Sequence, residues 1–95
     1  MIRHIVFLKL ADNSQKNKEA LKQKILALKN EIKVIKNIEV GLNFSHEERA
    51  YDLALIADFD TKEDLQIYAT NPTHLKLIES LKSTKTLSKV VDYEL

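Results

Sequence analysis

Residues 2–10, Ile-Arg-His-Ile-Val-Phe-Leu-Lys-Leu, read as a strand. Ile2, His4, Val6, Leu8 and Leu10 share one face, and Arg3, Ile5, Phe7 and Lys9 share the other. Both faces are apolar at the centre, so each needs a cover. Asp12-Asn13-Ser14 then offers N-cap side chains. Leu21, Ile25, Leu28, Ile32 and Ile35 follow at spacings of 4, 3, 4 and 3, a single apolar stripe that predicts a helix over 15–35. Residues 38–45 alternate, Ile38, Val40, Leu42 and Phe44 against Glu39, Gly41, Asn43 and Ser45, which predicts a half-buried strand. The polar stretch Ser45 to Arg49 is a loop, in which His46 is expected to be solvated. In the strand expected over 50–59, Tyr51, Leu53, Leu55, Ala57 and Phe59 face one way, with Ala54 and Ile56 opposite.

Thr61-Lys62-Glu63-Asp64 has the form of a capping box and opens a helix over 62–70. Asn71-Pro72 interrupts it, because the residue before a proline is driven out of the helical region. Thr73 is the expected cap of a second short helix carrying His74, Ile78 and Leu81 on one side. Residues 86–94 make the last strand, Leu87, Val91 and Tyr93 against Val90 and Asp92. The order β-α-β-β-α-β is the split βαβ pattern of ferredoxin-like domains. The expected fold is α+β: two βαβ-type halves forming one four-stranded antiparallel sheet with helices on one face. No linker, repeat or low-complexity stretch divides residues 1–95, so one domain is expected.

Composition narrows the function. A domain of 95 residues buries only about 60–65% of the surface its unfolded chain exposes. The chain has no cysteine, which excludes disulfides and thiolate chemistry. Association with a second copy is the remaining common way to bury more surface. The net charge of +1 gives no electrostatic case for nucleic acid or a membrane surface. Seven lysines cluster between Lys16 and Lys36, but no aromatic residues are interleaved for base stacking, so a solvated helix face accounts for them. No apolar run reaches the roughly 20 residues of a membrane span, and none resembles a signal peptide. A cytoplasmic location is the default.

A single glycine, Gly41, rules out a phosphate-cradling loop, and no metal-ligand spacing is present, so neither cofactor nor metal is expected. The candidate chemistry lies in His4, Tyr68, His74 and Asp92. A histidine facing an apolar space has a lowered pKa and can act as a base near neutrality. A tyrosine hydroxyl nearby can donate to a carbonyl or enolate oxygen. Such a set suits proton abstraction next to a carbonyl, with His74 as base, Tyr68 as donor, His4 as orienting group and Asp92 as the carboxylate that orients His74. The bland reading of each residue is a core, rim or loop role.

These residues also carry a resemblance. Ile2-Arg3-His4-Ile5-Val6-Phe7-Leu8-Lys9-Leu10 resembles the first strand of the stress-responsive dimeric α/β barrel (Dabb) family. Leu65 to His74 resembles that family's Tyr-x-x-His-Pro-x-His segment, with Asn71 in place of the first His, and Val90-Val91-Asp92-Tyr93-Glu94 resembles its last strand. The likeness runs essentially end to end. It implies a homodimer in which two sheets close into one barrel, with a cavity between sheet and helices or within the barrel, and a stress-response role. A polyketide cyclase among the plant members implies catalytic roles for His4, Tyr68, His74 and Asp92.

Two functions are therefore expected to compete. One is binding of a small apolar or carbonyl-containing molecule in an internal cavity lined by Val6, Leu8, Leu53 and Leu55. The alternative is a cofactor-free polyketide-cyclase-like or monooxygenase-like enzyme using a His/Tyr pair. If Leu8 and Leu55 lined the intersubunit barrel, an Asp at either position would disrupt the dimer.

Overall fold

The computed structural model describes all 95 residues. The elements run β1 (Ile2–Lys9), α1 (Gln15–Glu31), β2 (Asn37–Leu42), β3 (Leu53–Phe59), α2 (Lys62–Thr70), α3 (Pro72–Ser83) and β4 (Leu87–Glu94). The four strands form one antiparallel sheet in the order β2-β3-β1-β4, and the three helices lie on one face. This is the expected α+β, ferredoxin-like architecture. No helix is long and apolar enough to cross a membrane.

The core lies between the helices and the even face of β1. Leu8 packs beside Leu53 and Leu55 of β3, Leu21, Ile25 and Leu28 come down from α1, and Phe59 and Tyr68 fill the end under α2. Leu8 and Leu55 thus sit under the helices of their own subunit. The face that the helices leave open is the odd one, where Ile5, Phe7, Val91 and Tyr93 lie. An Asp at Leu8 or Leu55 would therefore disrupt the monomer's own core rather than an intersubunit contact.

Element ends differ from the sequence pattern for local reasons. The apolar spacing continues to Ile35, but α1 stops at Glu31. Ile32 is extended at the C-cap, its N–H reaching Leu28 O at 2.8 Å, and Ile35 N donates to Ile32 O in the following turn. Both isoleucines stay buried, so a turn preserves the stripe while freeing the chain to start β2. Strand β2 ends at Leu42 because Asn43 turns the chain: its carboxamide accepts from Ser45 N at 3.2 Å and donates to Ser45 O at 2.9 Å. Phe44, expected in the half-buried strand, is consequently 93% exposed. His46 is exposed in the loop, as expected.

Strand β3 starts at Leu53 rather than residue 50 because Asp52 serves as a tie. Its buried carboxylate accepts from Leu10 N at 2.7 Å and from Asn13 Nδ2 at 3.2 Å, which also ends β1 at Lys9. Ser14 and Thr61 cap α1 and α2 through their hydroxyls. Asn71, not Thr73, caps α3: its Oδ1 accepts from Thr73 N at 2.9 Å, and Pro72 occupies the first helical turn, where a missing N–H costs nothing.

On the open face, Arg3 grips Asp58 through two hydrogen bonds of 2.9 and 3.1 Å. The guanidinium holds the Asp58 carboxyl below its ordinary range, and Asp58 in turn raises Arg3. Neither residue stood out in the sequence, because only the β1–β3 register sets them opposite each other.

Ile25 is 1% exposed at the centre of the helix–sheet contact. Ile25→Ala is expected to cost about 2–5 kcal/mol of stability through lost burial and the cavity left behind. Urea unfolding at a fixed protein concentration measures it.

Candidate functional site

Strand β1 carries His4 on its helix-facing side, near the end covered by α2 and α3. Antiparallel pairing with β4 sets His4 directly opposite Asp92, and His4 Nδ1 hydrogen-bonds Asp92 Oδ1. Asp92 therefore orients His4, and not His74 as the sequence leads one to expect. The assignment turns on the strand order: β4 lies beside β1, and the register of the pair decides which side chains meet.

Tyr68 is the inward residue of the last turn of α2, and His74 sits in the first turn of α3. Asn71 holds the break between them by closing α2, its N–H donating to Tyr68 O, and capping α3. The tight junction brings the two rings together, with centroids 4.2 Å apart. The Tyr68 ring also meets His4 edge-on at 5.8 Å and Phe59 at 5.1 Å. His4, Tyr68 and His74 thus form one aromatic cluster between sheet and helices.

The three rings line a cavity of about 280 Å³ whose walls are otherwise mainly apolar. Val6, Leu8 and Leu55 contribute from the sheet, while Ile25, Leu77 and Leu81 close it from α1 and α3. Three of the four expected apolar lining residues are there. Leu53 is not: it lies deeper in the core, level with Leu8 and Leu42 across the strands. Ile25, Leu77 and Val90 were not singled out as lining residues. Their spacing alone cannot separate a cavity wall from solid core, although the i, i+4, i+7 relation of His74, Ile78 and Leu81 marks the side of α3 involved.

The electrostatics suit proton transfer. His74 Nδ1 lies 3.0 Å from Ala69 O, so that nitrogen carries the proton it donates and Nε2 bears the lone pair. Burial lowers the His74 pKa from its ordinary 6.5, the Ala69 bond opposes this, and the charge of His4 adds to the lowering. The ring is neutral at neutral pH. Burial pushes the Tyr68 phenol up to about 12, so it keeps its proton and can donate. The Tyr68 hydroxyl makes no hydrogen bond within the chain. No fully buried side-chain polar atom is left without a partner, so this hydroxyl opens onto accessible space, which the cavity supplies. The set contains no cluster of three or more metal-ligating side chains.

A model of the stress responsive A/B barrel domain matches residues 2–95. The chain belongs to this family. The chain is also similar to solved structures. A dimeric ferredoxin-like protein of Bacteroides fragilis is 36% identical, covers 99% of this chain and 95% of its own, and superimposes with a TM-score of 0.81. An Arabidopsis thaliana protein at 24% identity covers 100% and 95% with a TM-score of 0.82. The hydroxynitrile lyase of Passiflora edulis, at 18% identity, covers 98% and 93% with a TM-score of 0.77; these last two likenesses concern the fold. No curated protein matches this Dabb chain.

The lowered His74 pKa has a consequence for stability. Below the ordinary histidine value of 6.5 the unfolded chain takes up a proton at this position that the folded chain resists. Stability present above that value is therefore lost as pH falls from about 6.5 toward the lower folded-state pKa. His74→Gln is expected to flatten this part of the profile, leaving the deeper acid loss from Asp58, whose ordinary value is 3.8. Urea midpoints of both proteins measured from neutral to acidic pH check the difference.

Proposed function

We propose that this Dabb protein acts as a homodimer that takes a small apolar or carbonyl-containing molecule into the cavity between its sheet and helices. The observation that carries the reading is the convergence of His4, Tyr68 and His74 on one mainly apolar cavity. A cavity with apolar walls and a few convergent polar groups is the common form of a small-molecule site. A stress-response role comes with the family description and forms part of the same proposal.

A second reading, catalysis by proton transfer beside a carbonyl, is favoured by the state of the three polar groups. The carbonyl oxygen of a bound compound accepts from the Tyr68 hydroxyl. His74 Nε2, neutral and unbonded within the chain, removes a proton from the adjacent carbon, and the negative charge that develops on oxygen is met by the phenol. His4, with Nδ1 tied to Asp92, presents Nε2 on the other side of the ligand and fixes its orientation. No step needs a cofactor.

Exchange of the protons next to the carbonyl of butanone in deuterated buffer, followed by NMR, tests both readings. Accelerated exchange that drops on the order of 100-fold in Tyr68→Phe and in His74→Ala, with unfolding midpoints retained, supports catalysis. Binding seen as shifts at His4, Tyr68 and His74 without accelerated exchange leaves the cavity a binding site. Absence of both overturns the proposal.

The dimer rests on the open sheet face, where Phe7 is 47% and Val91 60% exposed, and on relatives that are dimeric proteins. An apolar face of this kind on a small domain calls for a cover. Phe7→Asp is expected to convert a species of twice 11.0 kDa into a folded monomer, as measured by light scattering. A wild-type monomer would refute the barrel.

A further inference from the structure

The strand registers arrange the open face of the sheet as a grid of three rows. In the first row Gly41, Ala54, Phe7 and Lys89 stand side by side on β2, β3, β1 and β4. Glu39, Ile56, Ile5 and Val91 make the middle row. Asn37, Asp58, Arg3 and Tyr93 make the third, where Arg3 grips Asp58. The first row is uneven in height. A Cβ at Gly41 would meet nothing within 4 Å, and a hollow of about 420 Å³ has Gly41, Ala54 and Phe7 among its walls. Bulk therefore stands on β1 and β4, and space on β2 and β3. The third row is uneven in charge, negative on β3 and positive on β1.

Two copies that pack these faces together with aligned strands can be related by a two-fold axis in either of two directions. An axis across the strands sets each strand over itself and inverts the rows. Phe7 then meets the partner's Arg3, Ala54 meets the partner's Asp58, and Glu39 meets the partner's Glu39, a like-charge contact that opposes association. An axis along the strands keeps each row and exchanges the strands, β3 over β1 and β2 over β4. Phe7 then fills the hollow at the partner's Ala54, Lys89 extends over the partner's Gly41, and Ile5 meets the partner's Ile56. In the third row Arg3 meets the partner's Asp58. We infer that the two-fold axis runs along the β1–β3 seam, and that the Arg3–Asp58 pairs of the two copies close into a ring of alternating charge by which the face recognises a second copy of this chain. This rests on the homodimer proposed above and adds which side chains meet in it. Arg3 spends Nε and one terminal nitrogen on its own Asp58, which leaves the other terminal nitrogen to donate to the partner's carboxylate. A ring of this kind specifies the partner and its orientation more than it adds affinity, which comes from Phe7 and the isoleucines.

A charge-swapped chain carrying Arg3→Asp and Asp58→Arg together provides the test. It keeps the ion pair within each subunit, so it is expected to fold and to form its own homodimer as the wild type does. A mixed dimer of the two chains would set like charges against each other at both cross-subunit contacts. The swapped chain and isotope-labelled wild type, unfolded together in urea, refolded and weighed by native mass spectrometry, are expected to give mixed dimers at least about tenfold below the roughly one half that random pairing yields. Random pairing overturns the ring while the dimer stands, and so does a swapped chain that folds but stays monomeric beside a dimeric wild type. A monomeric wild type overturns the dimer reading, and the ring with it. The hollow is tested independently of charge. Ala54→Phe fills it and is expected to give a folded monomer, and adding Phe7→Ala, which moves the space to the strand opposite, is expected to restore the dimer. A double variant that folds but stays monomeric overturns the axis along the seam.

Discussion

The pairing of β1 on both of its edges is the constraint on which the rest of this domain depends. With β3 on one side and β4 on the other, the strand cannot slip by a single residue without turning Leu8 and Val6 out of the core and Phe7 in. That register sets three things at once. It places His4 opposite Asp92, Arg3 opposite Asp58, and Leu8 beside Leu53. One face of the strand thereby becomes the floor of a cavity and the other an apolar surface crossed by an ion pair. The two roles separate because side chains alternate across a strand.

The helices turn that floor into a site. Packing of α1 covers the β2 side, with Ile25 and Leu28 almost wholly buried, whereas β4 remains exposed along its length. The unequal cover leaves space over the β1–β4 side. The α2–α3 break then aims two rings into that space. A continuous helix would rotate successive residues by a fixed angle and could not stack Tyr68 on His74 at 4.2 Å while leaving both on the cavity side. Asn71 serves both helices, and Pro72 forbids their fusion. The family's usual histidine before the proline is thus replaced here by a residue with its own capping capacity.

Burial and hydrogen bonding prepare these groups in opposite senses. The same apolar surroundings hold the Tyr68 phenol protonated and His74 unprotonated, giving a donor and an acceptor side by side at neutral pH. His4 differs in facing a carboxylate, which fixes the ring's tautomer and direction. Asp52, although also buried, bonds to backbone and to Asn13 and takes no part in the cavity. Asp52 is buried whereas Asp92 is exposed, and the strand or loop that each carboxylate faces decides its partner.

Much of this was written in the chain itself. Alternation in residues 2–10 and 50–59, the stripe from Leu21 to Ile35, the cap at Thr61 and the Asn-Pro break determined the element order and the α+β fold, because each is a local consequence of side-chain periodicity and backbone restriction. His4, Tyr68 and His74 could be singled out for their chemistry and spacing. What the sequence left open is what depends on partners distant in the chain. That Asp92 belongs to His4, that Leu8 and Leu55 face the helices, that Leu53 lies off the cavity and that Arg3 meets Asp58 all follow from strand order and register. Those are settled by packing the whole sheet against its helices, where a shift of one residue exchanges core for solvent, and no local pattern carries that information.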